Sequence, residues 1–517
     1  MKLSRQDFHH YFYIFATGLL MFVVPLSHFA MGLITFLLTL NWIAEWNWKE
    51  KWSRLRQHPQ ALVFSGLYLV MCIGLIHADH LSNATEQLLA NLSIFFAPII
   101  IVTSRPFSQK NMRFFFNAFI LGTAIGVVCA IGYWLTHEVR DMRNISLFID
   151  HIRFSLCVLL SIVFSIYLMR EKSANGDVMN LLYAANLLLL LFYIFVAQTL
   201  TGVVILVVLM LVALVLLVVR RNVVNKKTMI ILLLSLLGVL SVYFTCITYG
   251  YFHDQDQEIT VKTTALGHDY YFGDDGLVEN GHRVNYYVCR EEMEQAWKLR
   301  SDSLFDGMTE ATMIRYLNSK GLHKDYDAVM SLSDKDIRNV EREIANVDYT
   351  KPFGLKRALY QTYFCISKYK LNHQDIQGSS LMQRVELWTA SWNAVKENWL
   401  FGVGLGDQKA ELDLQLEKMD SPIAHKHNRG CHNQFLTYWM MGGILLLLYF
   451  LFVLAYPFVG MRKRITFVYL ALFIIVFCSM LVEDTIDSQS GKILYAIVMP
   501  MLLFNEAADN AEAGPRD

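Results

Sequence analysis

The chain has 517 residues, and its 45 Lys and Arg balance 45 Asp and Glu. Charged residues make up 17 % and apolar residues 55 %, against roughly 25 % charged in ordinary soluble domains. Zero net charge leaves no basic excess for a nucleic acid, and 28 Gly with 9 Pro exclude collagen-like and disordered chains. The apolar excess is concentrated in long runs. Residues 199–219 carry no charge, and about 20 such residues cross roughly 30 Å of hydrocarbon as a helix. The composition defines a polytopic membrane protein.

In chain order, apolar runs bounded by charged or turn residues predict about twelve spans. They lie near 11–25, 28–45, 61–78, 86–103, 113–135, 153–169, 180–198, 200–219, 229–247, 434–459, 465–482 and 491–504. The basic start is not read as a signal peptide, because the apolar region runs past any small-residue cleavage site. Short loops on one side hold eighteen Lys and Arg, those on the other only Arg140, Arg143 and Lys492. The positive-inside rule puts the first side and both termini in the cytoplasm. The expected plan is all-α, with spans one to nine over 1–247, a large extracytoplasmic loop domain over 248–431, three further spans over 432–504 and a cytoplasmic tail over 505–517.

The loop domain is too long for a plain connection and must have structure of its own. Its start reads as a small β part, over 258–263 and over 277–289 with an Asn280-Gly281 turn. The rest reads as helical. Ser333 and Asp336 form a capping box for a run ending near Val347, and Gly321 is a stop for the preceding helix. Cys289, Cys365 and Cys431 fall in the loop with no metal-motif spacing. In an oxidising compartment Cys289 and Cys365 are expected to pair, leaving Cys431 free.

Three polar constellations could carry chemistry, since polar groups bordering lipid are costly unless used or paired. His432, followed by Asn433, stands at the mouth of the tenth span, with Gly443 three turns further on. A neutral His there suits a general base, or simply anchors a helix end. His425 and His427 add a zinc alternative whose spacing fits no common structural motif. Next, Ser379 or Ser380 caps a helix on which Arg384, Trp388, Ser391 and Val395 share a face. Arg384 in that stripe suits a forked grip on phosphate, or snorkels. Gly402, Gly404 and Gly406 then read as a turn. Finally, Arg153 beside Asp150 at the outer mouth of the sixth span could bind a second anionic group or form a structural pair. Glu483 and Asp484 close the eleventh span as useful acids or ordinary boundary residues.

Taken together, the Arg384 helix, the turn over 401–407, and His432-Asn433 entering a glycine-bearing span resemble the O-antigen ligase family. That family also takes in O-antigen polymerases and O-linked oligosaccharyltransferases. Its signature His and Gly are matched by His432 and Gly443. At the place of its Arg-and-Leu pair, Arg384 is followed by Trp388, with Leu387 one position early. A further Arg-Gly pair is met here by Thr201-Gly202, which shifts weight onto Arg153. The resemblance implies a GT-C-like membrane glycosyltransferase in the bacterial inner membrane with its large loop periplasmic. It implies metal-independent, inverting transfer from an undecaprenyl-diphosphate-linked glycan, with no cofactor. His432 would be the base, Arg384 and Arg153 would hold the diphosphate, and Asn433, Gly443 and Trp388 would support them. The acceptor would be lipid A-core for a ligase, a growing glycan for a polymerase, or a protein hydroxyl for an oligosaccharyltransferase. A transporter of lipid or polysaccharide is the alternative from another class. It would place ionisable groups in mid-span.

Overall fold

The computed structural model describes residues 4–505 apart from 138, 140–141, 172–175, 198, 221–225, 257–258, 274, 351–354, 375, 377–378 and 425–429. Arg140, His425 and His427 of the zinc alternative and almost all of the tail therefore lie outside the described residues. The chain forms two compact units, one of Met1–Val215 with Arg384–Asp517 and one of Leu216–Gln383.

The first unit is helical throughout. Several of its helices start where Ser, Thr or Asp accepts from a first-turn amide: Ser4 before Arg5–Val23, Ser27 before His28–Ala44, Ser108 before Gln109–Thr136, Asp150 before His151–Arg170 and Thr466 before Phe467–Met480. Among the described residues five helices are long and apolar enough to cross a membrane: Leu81–Thr103, Gln109–Thr136, His151–Arg170, Asp177–Ala197 and Gln434–Gly460. A sixth comes from His28–Ala44, which joins Trp48–Gln57 through a 110° bend. The remaining expected spans fall on Arg5–Val23, on Lys226–Phe252 of the other unit, and on shorter apolar helices at Ala61–His77, Leu200–Leu216, Phe467–Met480 and Gln489–Leu503.

The bend after Ala44 has a chemical cause. Lys51 pairs with Glu45 at 3.0 Å and lies over the rings of Trp42 and Trp48, 4.9 and 5.2 Å from their centroids. The short helix thus folds back as a Trp- and cation-bearing stretch of the kind that sits at a membrane–water boundary. His151–Arg170 is the most enclosed of the long helices. Phe164 on it stacks on Phe116 at 4.2 Å, and Leu156, Val158 and Leu159 are buried along it.

The second unit contains the small β part. Val278–Glu279 and His282–Arg283 pair antiparallel, and Asn280 and Gly281 between them both have positive φ, +58° and +84°. Those two values make the two-residue turn that the dipeptide favours. The strands are shorter than expected. Residues 259–263 contribute only a bridge from Thr263 to Asp269, and the second run leaves the hairpin after Arg283, where the chain turns and the Tyr286 amide donates to the Arg283 carbonyl at 3.3 Å; Val288 rejoins through isolated bridges to Tyr271 and Lys324. Helices Arg290–Arg300, Gly307–Ser319, Tyr326–Met330 and Asp334–Glu341 enclose Met293, Trp297, Met313, Tyr316 and Val329. The Ser333–Asp336 capping box is present, and Gly321 has φ +68°. The capped helix stops at Glu341 rather than near Val347. Glu343 enters the left-handed region at φ +60°, and the Ile344 amide donates back to the Asn339 carbonyl at 2.9 Å. Below the hairpin, buried Glu279 takes a forked grip from Arg315 through two bonds of 2.9 Å and a third bond from Asn346 at 2.8 Å.

The Cys289–Cys365 disulfide does not form; all eight cysteines are free. Cys289 is buried among Tyr270 and Tyr287, whereas Cys365 lies near Tyr251 and Tyr349, a different cluster.

Candidate active site

The helix Ser380–Glu397 starts on Ser379, whose Oγ accepts from the Met382 amide at 3.2 Å. Ser391 and Val395 on it are buried, while Arg384 keeps 17 % of its side chain exposed. After Glu397 the chain makes the glycine turn. Gly402, Gly404 and Gly406 all have positive φ. At Gly402 a Cβ would come within 2.4 Å of the Met440 carbonyl oxygen, so the turn can lie against the next helix only without a side chain there. Asp407 pins the far end, accepting from the amides of Asp79 at 2.7 Å and His80 at 3.2 Å.

The helix Gln434–Gly460 is not continuous. Gly442 and Gly443 leave helical geometry, Gly443 at φ +63° and ψ −162°. Gly443 therefore does not extend the face that begins at His432, and among the described residues its near neighbours are Leu400 and Phe401 of a non-helical segment rather than a second helix. The freed backbone bonds to the extended segment ahead of the glycine turn. Ile444 N–H donates to the Trp399 carbonyl at 2.9 Å, and Val403 N–H donates to Met440 at 2.7 Å. A Cβ on Gly443 would stand 2.1 Å from the Leu400 oxygen. The break thus ties the Arg384 helix to the His432 helix.

At the head of that helix, Asn433 Oδ1 accepts from the Phe435 and Leu436 amides at 3.0 and 3.1 Å, and its Nδ2 donates to Leu481 O at 3.1 Å. His432 has φ +51°, a left-handed value unusual for a side-chain-bearing residue. Asp484 holds it there, accepting from the His432 amide at 3.0 Å, the Asn433 amide at 3.1 Å and the Thr437 hydroxyl at 2.6 Å. A Cβ on Gly430 would collide with that carboxylate at 2.2 Å. Trp388 Nε1–H donates to the His432 carbonyl at 3.2 Å. Beside it Cys431 is buried, which pushes its thiol up to about 12, so it stays an unreactive thiol.

The residues singled out in the sequence meet on one carboxylate. Glu483 is 2 % exposed. Its Oε2 accepts from His432 Nδ1 at 3.0 Å, and its Oε1 takes a direct contact from the Arg384 guanidinium. Arg153 reaches Oε2 at 3.7 Å while also pairing with Asp150 at 3.1 Å, so the structural pair is present and the same guanidinium borders the Glu483 cluster. Burial alone would raise the Glu483 carboxyl. The hydrogen bond from His432 and the charges of His432, Arg384 and Arg153 outweigh it and hold the group below the ordinary glutamate value. Glu483 is therefore ionised at neutral pH.

Two chemical consequences follow. A carboxylate on Nδ1 fixes that nitrogen as the donor, turning Nε2 into the acceptor, and it stabilises the ring when a second proton arrives. Arg384 spends one arm on Glu483, but its Nε is buried with no hydrogen-bond partner among the described residues. A guanidinium with an unspent buried donor is fitted to an anion. Sequence reasoning gave Glu483 and Asp484 no definite role. Their signal was an adjacent acid pair closing an apolar run, which is common at span ends.

Residues 353–451 match the family model described as O-Antigen ligase. The match takes in Arg384, Trp388, the glycine turn, His432, Asn433 and Gly443, and it leaves out Arg153 and Glu483. With several membrane-length apolar helices, it supports a multi-pass membrane glycosyltransferase of O-antigen ligase type, concerned with lipopolysaccharide synthesis. The resemblance to the O-antigen ligase family is thereby shown. A comparison with curated proteins found no match.

Proposed function

We propose that the protein transfers a glycan from an undecaprenyl-diphosphate carrier to an acceptor hydroxyl at the periplasmic face of the bacterial inner membrane. Twelve crossings with both termini cytoplasmic and residues 248–431 outside put the His432 site at that face. The observation that carries the reading is the convergence of His432, Arg384 and Arg153 on Glu483, with the Arg384 Nε unpaired among the described residues.

In this reading His432 Nε2 accepts the proton of the acceptor hydroxyl as its oxygen attacks the anomeric carbon. The bond to the diphosphate breaks on the opposite face, so the configuration inverts. Arg384 and Arg153 meet the charge that develops on the leaving diphosphate, which needs positioning and neutralisation more than bond activation. Glu483 holds the imidazole and keeps the two guanidiniums at a fixed spacing. No metal takes part in the step. Lipid A-core as acceptor makes the enzyme a ligase. A growing glycan or a protein hydroxyl would make it a polymerase or an oligosaccharyltransferase, and the glycan profile of a deletion strain separates the three.

The test is transfer from purified lipid-linked glycan. His432→Ala should lose about 10²–10⁴ in rate with donor binding retained. Arg384→Ala should weaken donor binding and turnover together, and Arg384→Lys should recover only part, since Lys keeps charge without the fork. Wild-type turnover by His432→Ala would refute the mechanism.

A further inference from the structure

The second unit holds a constellation that glycan transfer does not use. His268, Cys289 and Glu292 bring an imidazole nitrogen, a thiol sulfur and a carboxylate oxygen within 4.8 Å of one another. We propose that these three residues form a zinc site.

The local sequence explains how the group assembles. Cys289 is the residue before helix Arg290–Arg300, and Glu292 lies in its first turn. A spacing of three places both on one side of the helix start. The Cys289 backbone is fixed by its own amide, which donates to the Lys324 carbonyl at 2.7 Å. His268 comes from a tight loop closed by Thr264. The Thr264 amide donates to the His268 carbonyl at 2.8 Å, and the His268 amide donates to the Thr264 hydroxyl at 3.1 Å. Glu292 is 1 % exposed and held from two sides, by the Thr264 hydroxyl on Oε1 and by the Tyr326 amide on Oε2 at 3.1 Å. His268 Nδ1 already lies 2.8 Å from Glu292 Oε1.

The donor chemistry selects the ion. Thiolate, imidazole and carboxylate together are the ligand types of zinc, whereas calcium and magnesium take oxygen alone. One thiolate and one carboxylate neutralise a divalent cation, and imidazole adds no charge. Zinc bonds of about 2.0–2.3 Å in a tetrahedron put ligand atoms about 3.3–3.7 Å apart. From 2.8 Å between His268 and Glu292 and at most 4.8 Å overall, that spacing is reached by side-chain movements of roughly 1 Å, the close pair opening and the wider ones closing. His268 keeps 46 % of its side chain exposed, so an ion has a route in and solvent has access to a fourth position. The Thr264 hydroxyl and the Tyr326 amide on Glu292, and the Lys324 carbonyl on the Cys289 amide, supply the orientation that metal sites need.

The constellation also gives the free, buried Cys289 a role that the disulfide would have given it. The proposal is independent of the transfer reaction, and it makes no claim on the His432 site.

The test uses the full chain purified in detergent, stripped with chelator under reducing conditions and titrated with Co²⁺ and then Zn²⁺. One equivalent of Co²⁺ should give a near-ultraviolet thiolate-to-metal band that Zn²⁺ displaces. Cys289→Ser should abolish the band, while Cys365→Ser and Cys431→Ser retain it. His268→Gln, on the exposed side of the group, should weaken binding at least about tenfold without unfolding the unit. Absence of the band in the wild type, or its survival in Cys289→Ser, would overturn the assignment. Should Cys289→Ser not fold, unchanged affinity in His268→Gln would do the same.

Discussion

Replacing Glu483 by Gln is the perturbation that best separates a working site from a structural ion cluster. The change keeps size and shape but removes the charge that faces Arg384, Arg153 and His432. Gln presents one oxygen and one N–H₂ where the three neighbours are all donors, so at least one of the contacts to Arg384 and His432 is lost. Leaving a buried pair half-broken costs about 3–5 kcal/mol when both partners are enclosed. Here Arg384 and Arg153 keep 17 and 21 % of their side chains exposed. Water therefore solvates the released guanidiniums, and the loss should sit at or below about 3 kcal/mol. The effect on rate is larger than that on stability. Without a carboxylate on Nδ1 the imidazole loses its tautomer and its counter-charge, which in a comparable His–carboxylate arrangement costs as much as 10⁴ in kcat. Donor binding should move the other way, because two guanidiniums freed of their counter-ion attract a diphosphate more strongly. The assay is steady-state transfer from purified lipid-linked glycan, with donor affinity measured separately. We expect kcat lowered about 10²–10⁴-fold with donor affinity equal or improved. The double variant with His432→Ala should be little worse than His432→Ala alone, as for groups that act as a unit. A kcat within threefold of wild type, or effects that multiply in the double variant, would refute the reasoning.

Gly443→Ala should lower stability by at least about 1–3 kcal/mol, because its backbone lies in a region essentially reserved for glycine; the added Cβ also meets the Leu400 oxygen at 2.1 Å. Thermal unfolding in detergent measures it, and an unchanged midpoint would contradict the break at Gly442–Gly443. Acid should dismantle the cluster. The folded Glu483 carboxyl lies below its ordinary value. Its contribution is thus complete above the unfolded pKa of about 4.3 and is lost as pH falls through the lowered folded value. The difference in unfolding midpoint between wild type and Glu483→Gln should accordingly shrink below pH 4, measured in parallel pH series. Reporter fusions at Asn280 and Lys463 should report opposite sides of the membrane, and the same side for both would sink the twelve-span topology.

The features that the sequence determined by itself are those decided within a few residues. The Asn280-Gly281 turn, the Ser333–Asp336 capping box, the Ser379 cap and the glycine turn after Phe401 follow from side chains that bond or yield to their own backbone. The apolar runs are equally local, since their length is set by the bilayer and by nothing else in the chain. The O-antigen ligase resemblance was legible because its motifs lie within short stretches of the chain. What only the tertiary structure decided are the meetings between distant segments. Nothing near Glu483 in sequence announces that Arg153, Arg384 and His432 all turn toward it, and an acid at the end of a span is otherwise ordinary. Periodicity also continued the His432 helix straight through Gly442 and Gly443. Those residues leave the helix because the segment around Leu400 arrives to take up the freed backbone groups. Likewise the cysteines of the second unit were separated by their packing. Cys289 was drawn to Tyr270 and Tyr287 and Cys365 to another cluster, because burial of neighbouring aromatic rings, not the oxidising character of a compartment, sets where each one lies.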